Sequence, residues 1–259
     1  MELKQDKLKK DIDEYGYTII DDFLDTDSLN DLKNTFIKIL NYISKSEETD
    51  LQKKYYEIKN LSPVLKSHFY DLVPFSIDMT KKIHTPELLN FIKYYFKTEI
   101  LFSGRVAIHI HDEDNDRLLL PHQETNQFAV NTLLFWLPLW DTNEETGGLT
   151  IFEKSHKSGY FDHKLEDPTG EKKWTNKYTN IDESVYNRFK KKNLSVKAGS
   201  AVIAHSALIH CGYPLKKKGT VRMVITERFN PLIKIPYLRD PQAEKKIPYM
   251  GVDLNKIID

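Results

Sequence analysis

Ile100-Leu101-Phe102-Ser103-Gly104-Arg105-Val106-Ala107-Ile108-His109-Ile110-His111 is where the chain changes character. β-Branched and aromatic residues dominate it, and from here to about residue 230 short runs of the same kind recur, broken by Gly, Asn, Asp and Pro. The runs are too short and too close together to leave room for crossover helices. A doubly wound parallel sheet is therefore disfavoured, and an antiparallel double sheet or jelly roll is predicted.

Downstream, Val130 to Trp140 reads as a strand buried on both faces, ended by Pro138, which cannot donate to a sheet ladder. Leu149 to Phe152 and Val202 to Ala204 read as further strands, and Thr220 to Phe229 as one that turns Arg222, Val224, Thr226 and Arg228 to a single face. Between them, residues 162–193 are polar and long. Such a segment reads as a lid over the open end of the core or as a surface loop, with Trp174, Tyr178 and Tyr186 available to pack it down. The tail 231–259, rich in Pro and charge, reads as an extended wrap.

Upstream the pattern is helical. Residues 1–14 form a charged helix ended near Gly16, then Tyr17 to Ile20 a short strand. Leu29, Leu32, Phe36, Ile39, Leu40 and Ile43 recur at helical spacing over 28–44, after a small polar cluster suited to an N-cap. Residues 45–60 read as loop or helix end, and two more helices are predicted over 63–80 and 86–97, the second opening on Pro86. The fold class is α+β with a mainly β core: one domain over 1–259, mostly helical over 1–99 and a jelly roll over 100–230.

Composition narrows the function. The 259 residues carry 38 Lys and Arg against 38 Asp and Glu, so the chain as a whole offers no attraction to nucleic acid or an anionic membrane. One cysteine, Cys211, allows no internal disulfide. No apolar run nears the ~20 residues that cross a bilayer, and with a charged N-terminus lacking a hydrophobic signal region the expected default location is the cytoplasm. The expected partner is a small-molecule substrate; oligomeric state is not legible.

The chemistry starts at Leu120-Pro121-His122-Gln123-Glu124. In extended chain His122 and Glu124 leave the same face and Gln123 points away, which supplies two of the three groups of a two-histidine, one-carboxylate iron site. A surface ion pair is the competing reading. His109 and His111 repeat the spacing, and read as one packed in the sheet and one solvated beside the acidic loop at 112–116, or as substrate contacts. His210 and Arg222 follow on later strands, the arginine on a strand expected to hairpin with that of His210.

In order, Glu14-Tyr15-Gly16-Tyr17-Thr18-Ile19-Ile20, His122-Gln123-Glu124, Trp136-Leu137-Pro138-Leu139, Gly147-Gly148-Leu149, Ser155-His156-Lys157, Gly199-Ser200-Ala201-Val202, His210 and Arg222 resemble the phytanoyl-CoA dioxygenase (PhyH-like) family of Fe(II)- and 2-oxoglutarate-dependent oxygenases. The resemblance spans roughly residues 10–230. It implies a double-stranded β-helix, a cupin-like jelly roll, with Fe(II) held by His122, Glu124 and His210, and 2-oxoglutarate anchored through Arg222. O2 is the other reactant and hydroxylation the usual outcome.

Two positions depart from the family pattern. Glu124 stands where Asp is usual, and because a carboxylate is retained, halogenating variants of the chemistry are disfavoured. Gly212 stands where relatives often carry a serine that helps hold the cosubstrate, a task assigned here to Thr220 or Ser103. Arg228, Arg105 and His109 are the expected substrate contacts, with Gln127 a further cosubstrate contact. The alternatives are a jelly-roll binding protein without turnover and a cupin-type metal-dependent hydrolase or isomerase; the intact set His122, Glu124, His210 and Arg222 argues against both.

Overall fold

The computed structural model describes residues 4–44, 47–103, 106–112, 120–124, 132–166 and 178–231. Helices come first. α1 (Gln5–Tyr15) ends at Gly16, whose φ of 92° and amide bond to the Ile12 carbonyl close the last turn. A Cβ there would lie 2.6 Å from both the His156 ring and Leu208, so the turn needs glycine for space as well as for backbone angle. β1 (Tyr17–Ile20) follows, then α2 (Thr26–Ser44), which buries Leu29, Leu32, Phe36 and Leu40 on one stripe.

Four further helices each start at a side-chain cap. Asp50 opens α3 (Leu51–Leu61), Ser62 opens α4 (Pro63–Leu72), Ser76 opens α5 (Ile77–Ile83) and Thr85 opens α6 (Pro86–Phe96), each accepting a backbone N–H of the first turn. Two expectations change here. Residues 51–61 are a full helix, because Leu51, Tyr55 and Ile58 give their Lys-rich surroundings a buried face. The helix expected over 63–80 is two: Pro74 sits in a single 3-10 turn, Val73–Phe75, and Ser76 caps a fresh start.

The rest is a jelly roll of two antiparallel sheets. The larger runs β1-β9-β4-β11-β2, with β3 also on β11. Its members are β2 (Leu101–Ser103), β3 (Ala107–Asp112), β4 (Leu133–Pro138), β9 (Ala201–His205) and β11 (Val221–Pro231). The smaller runs β10-β5-β8, from β5 (Gly148–Phe152), β8 (Lys191–Leu194) and β10 (His210–Tyr213). The short hairpin β6 (His163–Glu166) with β7 (Tyr178–Ile181) stands apart, and one turn of helix, α7 (Glu183–Tyr186), follows it.

Burial on both faces of the larger sheet explains its near-continuous apolar runs. Phe135, Ile203, Met223, Ile225 and Phe229 face the helices, while Leu134, Trp136, Val202, Ala204 and Val224 face Leu149, Ile151 and Leu194 of the smaller sheet. β11 is the central member, paired with β3 through Val221–Thr226 on one edge and with β4 through Val224–Phe229 on the other.

The described part of 162–193 is not a free lid. Lys191–Leu194 pairs with β5 as an edge strand of the smaller sheet, and Ile181 with Tyr186 and Phe189 packs on Phe152 and Ile209. Its charge misled the reading: Lys191, Lys192 and Asn193 are exposed, as suits an edge strand. Trp174, and the tail beyond Pro231, lie outside the described residues.

Helices and sheet are tied by polar bonds as well as packing. The Tyr55 hydroxyl donates to Asp112 Oδ2 at 2.6 Å, Lys59 Nζ lies 3.0 Å from Asp112 Oδ1, and the Tyr70 hydroxyl donates to the Ile110 carbonyl. Asp112 is buried, so removing a donor leaves part of its charge unsatisfied. Tyr55→Phe, which keeps the ring, is expected to lower stability by about 2 kcal/mol in urea unfolding; an unchanged midpoint and slope would mean that this bond contributes nothing net.

Candidate metal centre

His122 and His210 face each other across a single antiparallel bridge between otherwise separate segments. Each backbone N–H donates to the other residue's carbonyl at 3.0 Å, which fixes both Cα–Cβ directions. Two residues on, the Glu124 amide donates to the Ser206 carbonyl at 3.0 Å. His122 lies in an isolated bridge and Glu124 is not in a strand, so the alternation assumed from sequence holds only locally. Gln123 points away as expected. Its amide group donates to the carbonyls of Gly159 and Ala207 and accepts from Phe161 N–H, while its own N–H donates to His163 Nε2.

The side chains then converge. His210 Nε2 lies 3.2 Å and His122 Nε2 3.8 Å from Glu124 Oε1, and one ligand atom from each residue falls within 4.8 Å of the others. His122 Nδ1 is 2.6 Å from the Leu120 carbonyl and His210 Nδ1 2.9 Å from the Leu208 carbonyl. A carbonyl only accepts, so Nδ1 carries the proton in both rings and Nε2 presents a lone pair. Burial, followed by the neighbouring His122, pushes the His210 pKa down, so a second proton does not bridge the gap. Two imidazole lone pairs and a carboxylate oxygen thus meet in a buried spot. Acceptors held that way repel one another unless a cation sits between them, which is the chemistry of a metal site.

Glu124 supplies the negative charge. Burial opposes its ionisation, but the Arg228 guanidinium beside it holds its carboxyl well below the usual carboxylate range. Arg228 Nε donates to Oε2 at 3.0 Å, Nη2 to Oε1 at 3.3 Å and Nη1 to the Thr226 hydroxyl at 2.8 Å. Arg228, expected as a substrate contact, lines the cavity with its fork engaged by Glu124 and Thr226.

Around this centre lies a cavity lined by both sheets, including Leu134, Trp136, Leu149, His109, His111 and Arg222. β11 presents Arg222, Val224, Thr226 and Arg228 to it from one face, as its alternation indicates. Arg222 arrives by a different route from the expected hairpin: β10 and β11 are consecutive but belong to different sheets, and Arg222 reaches across to β10 and β5. Its Nη1 donates to the Tyr213 carbonyl at 3.0 Å and, weakly, to that of Gly148 at 3.4 Å. Gly147 makes the room, since at φ 68° a Cβ there would come 2.5 Å from that nitrogen. Buried at 6% exposure, Arg222 has no acid partner among the described residues and its Nε has no hydrogen bond; burial lowers its pKa to about 10.

His109 and His111 both face the cavity, against the reading of His111 as solvated. His111 stands opposite Arg222 across the β3–β11 ladder with Nδ1 buried and unpartnered. Burial, then the charges of Arg228 and Arg222 respectively, lowers the His109 pKa to about 4 and the His111 pKa to about 3, so both rings are neutral. Thr220 is not part of the site: its hydroxyl donates to the Lys217 carbonyl in an exposed turn. Arg105 and Gln127 lie outside the described residues, and of Ser103 only the backbone, paired with Phe229, is described. Trp136, Cys211 and Gly212 line the cavity without having been singled out as contacts, although their neighbours in sequence mark them.

Fold and centre together define a jelly-roll enzyme of the non-haem metal class, with a buried two-histidine, one-carboxylate set and a buried cation beside it. The family model for phytanoyl-CoA dioxygenase (PhyH) matches residues 12–223, and the chain belongs to that family. Its members are Fe(II)- and 2-oxoglutarate-dependent oxygenases, and the residues present fit both groups: the convergent acceptors fit the metal, and Arg222, without an acid partner among the described residues, fits a carboxylate.

Solved structures agree on the fold. The epimerase SnoN in complex with Fe3+, alpha ketoglutarate and nogalamycin RO aligns at 14% identity and a TM-score of 0.64 over 91% of this chain and 86% of that one. The carbocyclase SnoK from nogalamycin biosynthesis aligns at 14% and 0.57 over 97% and 96%. EctD from S. alaskensis with bound Fe aligns at 13% and 0.58 over 87% and 76%. No curated protein matches the chain in sequence. Among the described residues no helix is long and apolar enough to cross a membrane.

A divalent ion that binds only the folded chain raises its stability by ~2.7 kcal/mol at a hundredfold excess over Kd. Thermal unfolding with Co(II) as the probe is expected to show this rise in the parent and none in His210→Ala; equal shifts in both would remove His210 from the ligand set.

Proposed function

We propose that the protein is an Fe(II)- and 2-oxoglutarate-dependent dioxygenase that hydroxylates a small polar or anionic metabolite. The observation that carries the reading is the pairing, in one cavity, of three convergent metal-seeking acceptors with a buried arginine that has no acid partner among the described residues. A cation without a counter-charge is costly to bury and calls for an anion. Support also comes from SnoN, which was solved with Fe3+ and alpha ketoglutarate.

Bound together, Fe(II) and 2-oxoglutarate would supply O2 activation, with succinate and CO2 as coproducts and one oxygen atom delivered to a C–H bond of the substrate. The protein's own groups have three tasks. His122, Glu124 and His210 hold the ion and leave its remaining positions open. Arg222, fixed by the Tyr213 carbonyl, takes the far carboxylate of the cosubstrate on its planar fork. Leu134, Trp136, Leu149 and Val224 wall the cavity with apolar surface that excludes water.

Charge points to the substrate class. With the ion and the doubly negative cosubstrate in place, Glu124, Arg222 and Arg228 leave one positive charge uncompensated among the described lining residues, His109 and His111 being neutral. A substrate with a single negative charge restores the balance, and the two neutral imidazoles can hydrogen-bond to its polar groups.

The test needs no substrate. Anaerobic addition of Fe(II) and then 2-oxoglutarate is expected to give the weak visible charge-transfer band of the chelate, absent in His210→Ala. Arg222→Ala should raise the 2-oxoglutarate needed to develop the band at least about 30-fold, equivalent to ~2 kcal/mol. Iron binding without a band in the parent would overturn the assignment, and an unchanged requirement in Arg222→Ala would move the anchor elsewhere.

A further inference from the structure

Of the two described arginines that line the cavity, Arg228 is matched to a carboxylate, and that carboxylate belongs to the metal centre. Its three donor groups are all engaged: Nε with Oε2 of Glu124, Nη2 with Oε1, and Nη1 with the Thr226 hydroxyl two residues back on the same strand. Thr226 therefore sets the guanidinium's orientation, and the guanidinium sets the carboxylate's. Both partners are almost fully buried, Glu124 at 3% and Arg228 at 7% exposure.

The two carboxylate oxygens are not equivalent in this arrangement. Oε1 faces both histidine Nε2 atoms, whereas Oε2 makes the shorter bond, 3.0 Å, to Arg228. We propose that Arg228 is a positioning residue that restrains Glu124 to ligate through Oε1 alone. The inference rests on the metal-centre reading above. A carboxylate free to turn could offer both oxygens and fill one more position of the ion; with Oε2 tied to the guanidinium that position stays open for the reactants.

The side-chain length belongs to the same argument. Glu124 spans from its backbone anchor on the Ser206 carbonyl to the histidine pair and to Arg228 at once. Aspartate, one methylene shorter, draws its carboxylate back by about one bond length and cannot keep both sets of contacts from the same backbone position. Arg228 and the length of residue 124 are therefore coupled, and a general packing role for Arg228 would show no such coupling.

A double-mutant cycle reads this directly, with Co(II) affinity measured from the visible d–d absorption of the full-length protein and circular dichroism as the check on folding. Arg228→Gln is expected to raise the Co(II) Kd about 10- to 100-fold. In a Glu124→Asp background the same change is expected to move Kd by less than about threefold. If Arg228→Gln does not fold, Arg228→Lys, which keeps the charge without the fork, serves in its place with the same two expectations. Parent-like Co(II) affinity in the arginine variant, or an equal loss in both backgrounds, would overturn the positioning role while leaving the metal centre standing. Failure of the parent itself to bind Co(II) would instead overturn the metal-centre reading.

Discussion

The site depends on a reciprocal pair of backbone hydrogen bonds between His122 and His210, 3.0 Å in each direction. It joins two segments far apart in sequence at one point and aims both imidazoles into the same volume. Each ring is then locked by its Nδ1–H on a carbonyl two residues earlier, Leu120 for one and Leu208 for the other. What these bonds produce is unfavourable by itself: lone pairs facing lone pairs and a carboxylate. Bonds made by the residues between and beside the ligands hold it, and Gln123 is the clearest case, with its amide oxygen, amide nitrogen and backbone N–H all bonded. Local repulsion of this kind persists because neighbouring bonds over-determine the geometry, and binding a cation relieves it.

The central strand β11 links that centre to the rest of the fold through its two faces. Residues 222, 224, 226 and 228 look into the cavity; Met223, Ile225 and Phe229 look into the helical layer. Glu227 also lies on the helical side, fully buried, where His84 Nε2 meets it at 3.2 Å. Helices that seem remote from the chemistry thus cover the back of the strand that carries both arginines. Asp112, next to His111 on the neighbouring strand of the same sheet, is tied to Tyr55 and Lys59 of α3, so the adjoining part of that cavity wall is braced from the same side.

Most of the architecture was legible because it rests on period and punctuation. The stripe of Leu29, Leu32, Phe36 and Leu40, the Pro86 start of α6 and the glycine stop at Gly16 were all visible in sequence and have simple local causes. What escaped was tertiary. The edge strand Lys191–Leu194 reads as loop because its exposed lysines protect an edge that only the folded sheet creates. The placement of Arg222 depends on β10 and β11 lying in different sheets, which a short basic connection between two strands disguises as a hairpin. His111 looked solvated beside acidic residues, yet pairing with Arg222 turns it inward. Thr220 was chosen for chemistry alone, and its own turn captures the hydroxyl. Within the metal set, spacing suggested His122 with Glu124, but nothing local points to the Ser206 carbonyl that orients Glu124.

The two cavity arginines, six residues apart on one strand face, show how a fold can assign opposite tasks to identical side chains. Arg228 is neutralised inside the protein by Glu124, so it holds a fixed geometry whether or not anything is bound. Arg222 is held by uncharged carbonyls and has no acid beside it among the described residues, so its position is set while those residues leave its charge uncompensated. Had an acid sat beside Arg222, an incoming anion would have to displace it, and most of the attraction would be lost to that exchange. Carbonyl anchoring fixes the fork without competing for its charge. The buried cation lowers the stability of the empty fold, and an anion that reaches it recovers that loss as binding free energy. Gly147 makes the arrangement possible: any side chain there would occupy the space from which the Arg222 fork reaches its carbonyl anchors.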